Sequence, residues 1–390
     1  MTIPKLALRN ILGAGLRTWL NVVALSFSFV IIIWTQGLYR GMNDQVEKAT
    51  IDALYGGGQF WQEKYDPYDP LSLEDAHADI PADLKDLIKK NEATPILIRQ
   101  GTIYPNGRMR TVLLKGIDPE QTVLTIPSHF LQSDENIIPV LIGSRMAKNS
   151  GLNKGDYLTV QWRDANGTFD AKDMLIVEIM KTNVQEIDND QIWIPLDTLQ
   201  QMIAMPDQAT IVILKEETQI DKNIPGWIFK NLDFLLQDLR DLVMTKSVGA
   251  SILYVVLLFL AMLAIFDTQI LSIFRRKKEM GTLMALGMTR LKVIGLFTLE
   301  GAMHGVLAAL VAAIYGIPLI TYTASKGWAL PESMDSYGIA IGTRLFPTYS
   351  AGLVLGTTVL VLTITTIVSF LPVRRIAKLK PTDALRGKLS

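Results

Sequence analysis

Four apolar runs constrain this chain more than anything else in it: residues 19–40, 248–274, 293–320 and 349–371. A hydrocarbon core about 30 Å thick is crossed by about 20 helical residues, and in lipid every backbone N–H and C=O must be satisfied within the span. Each run is therefore predicted to be a transmembrane helix. Basic residues set the orientation. Lys5, Arg9 and Arg17 precede the first run, Arg275, Arg276, Lys277 and Lys278 follow the second, and Arg374, Arg375, Lys378 and Lys380 follow the fourth. These clusters place 1–18, 275–292 and 372–390 in the cytoplasm and leave 41–247 and 321–348 outside. The first run ends in Trp34, Thr35, Gln36 and Gly37 rather than a small-x-small cleavage site, so it reads as a retained helix and not a signal peptide. The expected fold is an integral membrane α-helical protein of four transmembrane helices carrying a large external α+β domain of two lobes.

A formal net charge of zero conceals a division. The external stretch 41–247 holds about 32 acidic and about 20 basic residues, which leaves the rest of the chain basic. Gly56, Gly57 and Gly58 break the helix that leaves the first span, and Pro81 to Asn91 has the pattern of a short amphipathic helix. Ile96 to Tyr104 and Met109 to Ile117 read as strands around Asn106-Gly107, a dipeptide suited to the two positive φ angles of a tight hairpin. A second β-rich lobe is expected from about Ile137 to Met205, with strands Tyr157–Trp162, Leu175–Met180 and Gln191–Pro195, a turn at Asn166-Gly167, and a helix capped by Asp197. Thr210 to Leu214 reads as a strand returning to the first lobe, and Ile228 to Leu242 as a helix leading to the membrane.

Several chemistries are not indicated. Cysteine is absent, so there is neither a thiolate metal site nor a cysteine nucleophile, and His77, His129 and His304 stand singly, without the spacing of a catalytic metal site. No phosphate loop, dinucleotide fingerprint or nucleophile elbow occurs, so catalytic residues and metal ligands are none, and the chain is not expected to hydrolyse nucleotide or to bind nucleic acid.

The polar interruption Arg275 to Lys292 is read as helix, stop, cap, helix. Met280, Leu283 and Met284 share one face, Gly287 stops the short helix, and Thr289 caps the next. On the residues alone, this elbow is either a basic loop that enforces orientation or a docking surface. In the third run Gly301, Gly305, Ala309 and Ala313 recur every four residues, a stripe that lets helices approach closely in lipid. Glu300 and His304 lie one turn apart, where a hydrogen bond between them or to a neighbouring helix could satisfy both.

Two motifs carry a family resemblance. Glu279, Gly281, Leu283, Ala285, Leu286 and Gly287 match the pattern E-x-G-x-x-[KR]-A-x-G of the FtsX/MacB/lipoprotein-releasing class of ABC transporter permeases, with Met284 in place of the usual basic residue. The C-terminal Pro372, Arg374, Arg375, Ala377, Pro381, Ala384, Leu385 and Arg386 resemble that class's ending. Within the class, GIDPEQ (116–121), LIGSRMAKNSGLNKGDYLTV (141–160) and QIWIPLDTLQQMI (191–203) are most similar to the LolC/LolE lipoprotein-releasing permeases.

That resemblance implies a multi-pass protein of the bacterial inner membrane with a periplasmic external domain. It implies an ABC ATPase dimer (LolD-like) that binds ATP and Mg, with no cofactor in this chain, together with a second permease subunit, identical or homologous. The other implied partners are a lipoprotein substrate, a periplasmic carrier (LolA-like) and membrane lipids. The elbow residues Arg275, Arg276, Lys277, Lys278, Glu279, Met280, Gly281, Leu283, Met284, Leu286 and Gly287 become an ATPase-coupling helix. Phe27, Val30, Trp34, Val256, Phe259 and Met262 become candidates for lining a lipid cavity between the first and second helices. Other members of the class export peptides or drugs, or regulate cell-envelope hydrolases.

Overall fold

The structure, a computed structural model, describes residues 16–132, 137–182, 184–218, 220, 223–329 and 344–377. Two compact units emerge. One is built from Asp44–Leu242; the other gathers the described residues up to Asn43 with Val243–Ala329 and those from Arg344 onward.

Helix α1 (Leu16–Thr50) belongs to the second unit as far as Asn43; its last turns lie in the first unit and end in a π-helical turn, Ile51–Tyr55, at the glycine triplet, as its breaker residues predict. Next come β1 (Gln59–Gln62), β2 (Ala78–Asp79), α2 (Ala82–Lys89), β3 (Ala93–Ile103) and β4 (Arg110–Ile117). They are followed by β5 (Ile138–Gly143), α3 (Ser144–Ser150), β6 (Tyr157–Arg163), β7 (Phe169–Met180), α4 (Gln185–Asp188), β8 (Gln191–Pro195) and α5 (Leu196–Met202). The unit closes with β9 (Gln208–Ala209), β10 (Ile211–Leu214), β11 (Asn223–Ile224), β12 (Trp227–Lys230) and α6 (Leu232–Leu235).

Ten strands run in the order β11-β12-β1-β10-β3-β4-β8-β5-β7-β6, and β6 returns to pair with β3. The last six strands therefore close into a barrel, which removes the free edges that an open sheet presents. Side chains alternate across each strand, so one face fills the barrel: Val112 and Leu114, Val140 and Ile142, Leu158 and Val160, Ile192 and Ile194 are all buried in one cluster. The indole N–H of Trp162 is satisfied by the carbonyl of Met202 at 2.9 Å. The remaining strands form an open sheet on the first part of β3, covered on one side by Leu84 of α2 and its neighbours.

The two expected lobes are thus one compact unit in which a barrel and an open sheet share β3. Asn106 and Gly107 take the expected positive φ, 53° and 74°, but the tight two-residue turn is corrected: the register Ile103↔Arg110 leaves 104–109 between the strands, with Pro105–Gly107 forming a 3-10 turn at their centre. At Asn166-Gly167 the register Arg163↔Phe169 leaves 164–168 between the strands, narrowed to Ala165–Gly167 by Asp164 N–H to Thr168 O at 2.9 Å, with Gly167 at φ 83°.

Two local expectations are corrected. Residues from Ile228 begin not as a helix but within β12, because Trp227–Lys230 pairs with β1; Asn231 then caps α6, accepting from Phe234 N–H at 2.9 Å. Asp197 is not the cap of α5: that helix starts from Pro195, and the Asp197 carboxylate accepts from Thr198 N–H instead.

In the second unit, α7 (Gln237–Arg275) contains the predicted second span, and α8 (Lys277–Ala285) is the elbow helix. Helix α9 (Arg290–Lys326) is followed by β13 (Trp328–Ala329), β14 (Arg344–Leu345) and α10 (Ala351–Ala377). Among the described residues three helices are long and apolar enough to cross a membrane: Val22–Tyr55, Arg290–Lys326 and Ala351–Arg374. Trp328 and Ala329 pair with Arg344 and Leu345, while 330–343, much of the predicted external loop, lies outside the described residues.

Helix α1 packs through Val22, Leu25, Phe29 and Val30 against Ala308 and Ala312 of α9 and Val361 of α10. The small-residue stripe is buried only in part. Gly301 and Gly305 are buried, Ala309 is half-buried and Ala313 is exposed; burial passes to Ala308, Ala312 and Gly316. A strict four-residue repeat over-rotates by about 40° per step on a 3.6-residue helix, so the contact face drifts from one row to the next. A Cβ on Gly305 would sit 3.0 Å from Leu362, and one on Gly316 would sit 2.8 Å from Val30.

Candidate functional site

The elbow is a short amphipathic helix bolted down on one face. Arg276 leaves helical geometry between α7 and α8, and Met280, on the first turn of α8, is fully buried. Around Met280 lie Val293, Leu296 and Phe297 of α9 and Val373 of α10, with Leu283, Met284 and Met288 partly buried against them. The helix ends as Gly287 predicts. At φ 95°, a left-handed backbone that favours glycine, Gly287 N–H reaches Met284 O at 3.1 Å and Met288 N–H reaches Leu283 O at 3.0 Å. These two bonds form a Schellman closure. Thr289 takes the extended N-cap conformation expected of it, but its hydroxyl makes no capping bond.

Arg276 is the electrostatic centre. Its Nε donates to the Glu279 carboxylate at 2.7 Å, its Nη1 donates to the Glu300 carboxylate on α9, and its guanidinium lies 4.8 Å from the centre of the Phe297 ring. Burial opposes the charge, yet the hydrogen bond it donates to the Glu279 carboxylate and the fields of Glu300 and Glu279 hold the guanidinium above its usual range. Glu300 is buried, and its second carboxylate oxygen has no hydrogen-bond partner among the described residues. Of the two arrangements expected for this pair, the Glu300 carboxylate takes its bond from another element, at Arg276, while His304 Nδ1–H donates to the Glu300 backbone carbonyl at 2.8 Å.

The outward face is different in kind. Lys278 and Glu279 are exposed, and Leu286 is 79% exposed. Gly281 is buried; the side chains of Arg275 and Lys277 lie outside the described residues. The sequence reading missed Phe297, Val373 and Leu291, the last 81% exposed one residue into α9.

The proposed cavity residues divide. Phe27, Val256 and Phe259 are exposed, and Met262 is half-buried. Val30 is packed inside the bundle against α9, and Trp34 makes an edge-to-face contact with Trp328 at 5.4 Å.

Residues 251–381 match the FtsX-like permease C-terminal model, and residues 18–223 match the MacB-like periplasmic core domain model. The chain belongs to the FtsX/MacB family of ABC transporter permeases. The lipoprotein-releasing system transmembrane protein LolC of Neisseria meningitidis is 22% identical over 330 residues, covering 75% of this permease and 77% of LolC. An uncharacterized ABC transporter permease of Methanocaldococcus jannaschii, MJ1507, is 27% identical over 135 residues, 34% of this permease and 30% of that protein. The extracellular domain of the noncanonic ABC-type transporter YknZ from Gram-positive bacteria covers 41% of this permease and 83% of that chain at 13% identity, with a TM-score of 0.26. This permease is accordingly a membrane protein of a family that works with an ATPase partner, and its relatives are permease subunits rather than ATPases.

Proposed function

We propose that this chain is the membrane subunit of a mechanotransmitting ABC transporter that extracts lipoproteins from the outer leaflet of the bacterial inner membrane and passes them to a periplasmic carrier. The observation that carries the reading is the split character of α8, anchored inward through Met280 and Arg276 and displaying Lys278, Glu279 and Leu286 outward. A partner ATPase, which holds ATP and Mg, docks on that outward face. Four spans with both termini cytoplasmic follow from the basic flanks, the second span lying within α7.

Lipoprotein as the substrate is supported by the likeness to LolC across three quarters of the chain. Acyl chains would enter between the first and second helices of two permease subunits, against Phe27, Trp34, Val256, Phe259 and Met262, and be expelled when ATP binding moves the elbow. The MacB-like core domain supports export of peptides or other envelope substrates as the second reading.

Glu279→Lys reverses the charge of the docking face without touching the buried core. In the complex with its co-purifying ATPase, this variant is expected to insert normally and to lose substrate-stimulated ATP hydrolysis by about tenfold, the effect of losing about 1.4 kcal/mol of docking energy. Hydrolysis that still responds fully to substrate sinks the docking role. Crosslinking the external domain in cells separates the substrates: capture of a periplasmic lipoprotein carrier supports release, and its absence in a cell that expresses one favours export.

A further inference from the structure

Strand β3 changes neighbours part-way along the edge opposite β4. It pairs with β10 as far as Ile96 and with β6 only from Gly101, and between them Ile98 N–H is satisfied by the Thr210 hydroxyl rather than by a strand. Where the two partners diverge, a cavity of about 230 Å³ opens, lined by Leu73, Glu74, Arg99, Gln161, Arg163 and Phe169 among others.

Arg99 is the unusual member. It is 6% exposed, and no carboxylate lies within ion-pair distance among the described residues. Its Nη1 donates to the carbonyls of Leu73 at 2.6 Å and Glu74 at 2.9 Å, while Nε is buried with no acceptor. A guanidinium carries five donors in a planar fork matched to two carboxylate oxygens, and a buried charge is costly unless paired. Burial holds Arg99 below its usual range; Glu74 opposes this, and Arg163 adds to it. At the mouth Arg163 supplies a second cation, held 2.9 Å from the Glu74 carboxylate, itself largely exposed. Phe169 offers an apolar wall, 68% exposed.

We propose that this notch is a binding site for a carboxylate, taken on the Arg99 guanidinium that lines it and on Arg163 after Glu74 swings away, with a short apolar substituent against Phe169 and Leu73. A planar carboxylate suits the planar fork, and the chain's own Glu74 carboxylate already occupies half of the cation pair. The volume is below the roughly 300–1,000 Å³ of drug-sized sites, which selects a small acid or the carboxylate-bearing end of a larger one. Site and ligand class stand apart from the elbow and do not depend on which substrate is transported.

The test titrates N-acetyl-leucine, acetate and inorganic phosphate into the full-length chain in detergent, by equilibrium dialysis. N-acetyl-leucine is expected to bind saturably, one per chain, and more tightly than acetate or phosphate. Arg163→Ala should weaken it about tenfold, and Glu74→Gln, which removes the internal competitor, should strengthen it about two- to fivefold. Arg99→Lys should abolish it, because an ammonium has no fork. Both mouth variants are at exposed positions and keep the test decisive if the Arg99 variant fails to fold. Absence of saturable binding, indifference to both mouth variants, or tighter binding of phosphate each overturns the assignment.

Discussion

The elbow half-buries one arginine, the notch buries another, and the two are treated in opposite ways. Arg276 is closed by the chain itself: two carboxylates, one from the helix α8 that follows it and one from α9, and an aromatic face surround it. Arg99 is given only backbone carbonyls and keeps a donor without an acceptor. A charge satisfied from within fixes geometry, whereas a charge left short of its counter-ion stores affinity for something else. The same residue type therefore acts as a bolt in one region and a socket in the other. Lys115 on β4 is a third case. It is buried with its ammonium 5.2 Å from the Trp193 ring centre, an arrangement that satisfies charge only weakly.

The sharpest way to break the contrast is to remove the buried carboxylate at the elbow. Glu300→Ala leaves Arg276 half-buried with only the exposed Glu279, and losing one partner of a buried pair typically costs about 3–5 kcal/mol. Unfolding by SDS titration in mixed micelles should show a loss of that size, and exchanging the two, Arg276→Glu with Glu300→Arg, should restore part of it. Wild-type stability in Glu300→Ala would mean that the Met280 core alone holds the elbow, and the distinction between bolt and socket would fail.

The next largest effect concerns Lys115. Burial pushes its ammonium below the usual lysine range, with Glu186 opposing. The folded state then binds this proton less readily than the unfolded chain does, so this contribution to stability is full above the ordinary lysine value. It is lost as pH falls through the lowered, folded value. At neutral pH the residue is therefore a liability, and Lys115→Met, which keeps the length and removes the charge, should stabilise the chain by about 1–2 kcal/mol. Denaturant unfolding at pH 7 and pH 10 reads both parts. The wild type should gain stability between the two, and the variant should lose that slope; an unchanged slope would place the pH response elsewhere.

How much of this was visible in the sequence depends on the range of each interaction. The stop at Gly287 and the hairpin at Asn106-Gly107 were legible because positive φ is a local demand that few residues meet. The amphipathic face of α8 was legible from spacing alone. The Glu300 partner was not: sequence proximity offers His304, but a helical side chain leans toward the N-terminus, so the imidazole reaches the carbonyl four residues back and leaves the carboxylate for Arg276. Trp227–Lys230 is a short apolar run whose period fits helix or strand, and pairing with β1 decides it. The notch was out of reach for a similar reason. It exists because β6 returns to a strand some sixty residues earlier, and nothing near Arg99 in the chain announces that closure.

The smallest expected effect separates holding from docking within the elbow itself. Glu279 and Glu300 bind the same guanidinium, but Glu279 is 59% exposed and Glu300 only 8%. An exposed pair three residues apart on a helix gains little Coulomb energy in water and is screened by salt, so Glu279→Ala should change stability by no more than about 0.5 kcal/mol. The same SDS titration that registers Glu300→Ala should barely register this variant. Uncoupling in Glu279→Lys then belongs to the surface that Glu279 presents. A loss in Glu279→Ala as large as that in Glu300→Ala would instead make both carboxylates parts of one structural bolt, and the exposed face of α8 would have to find its partner through Lys278 and Leu286.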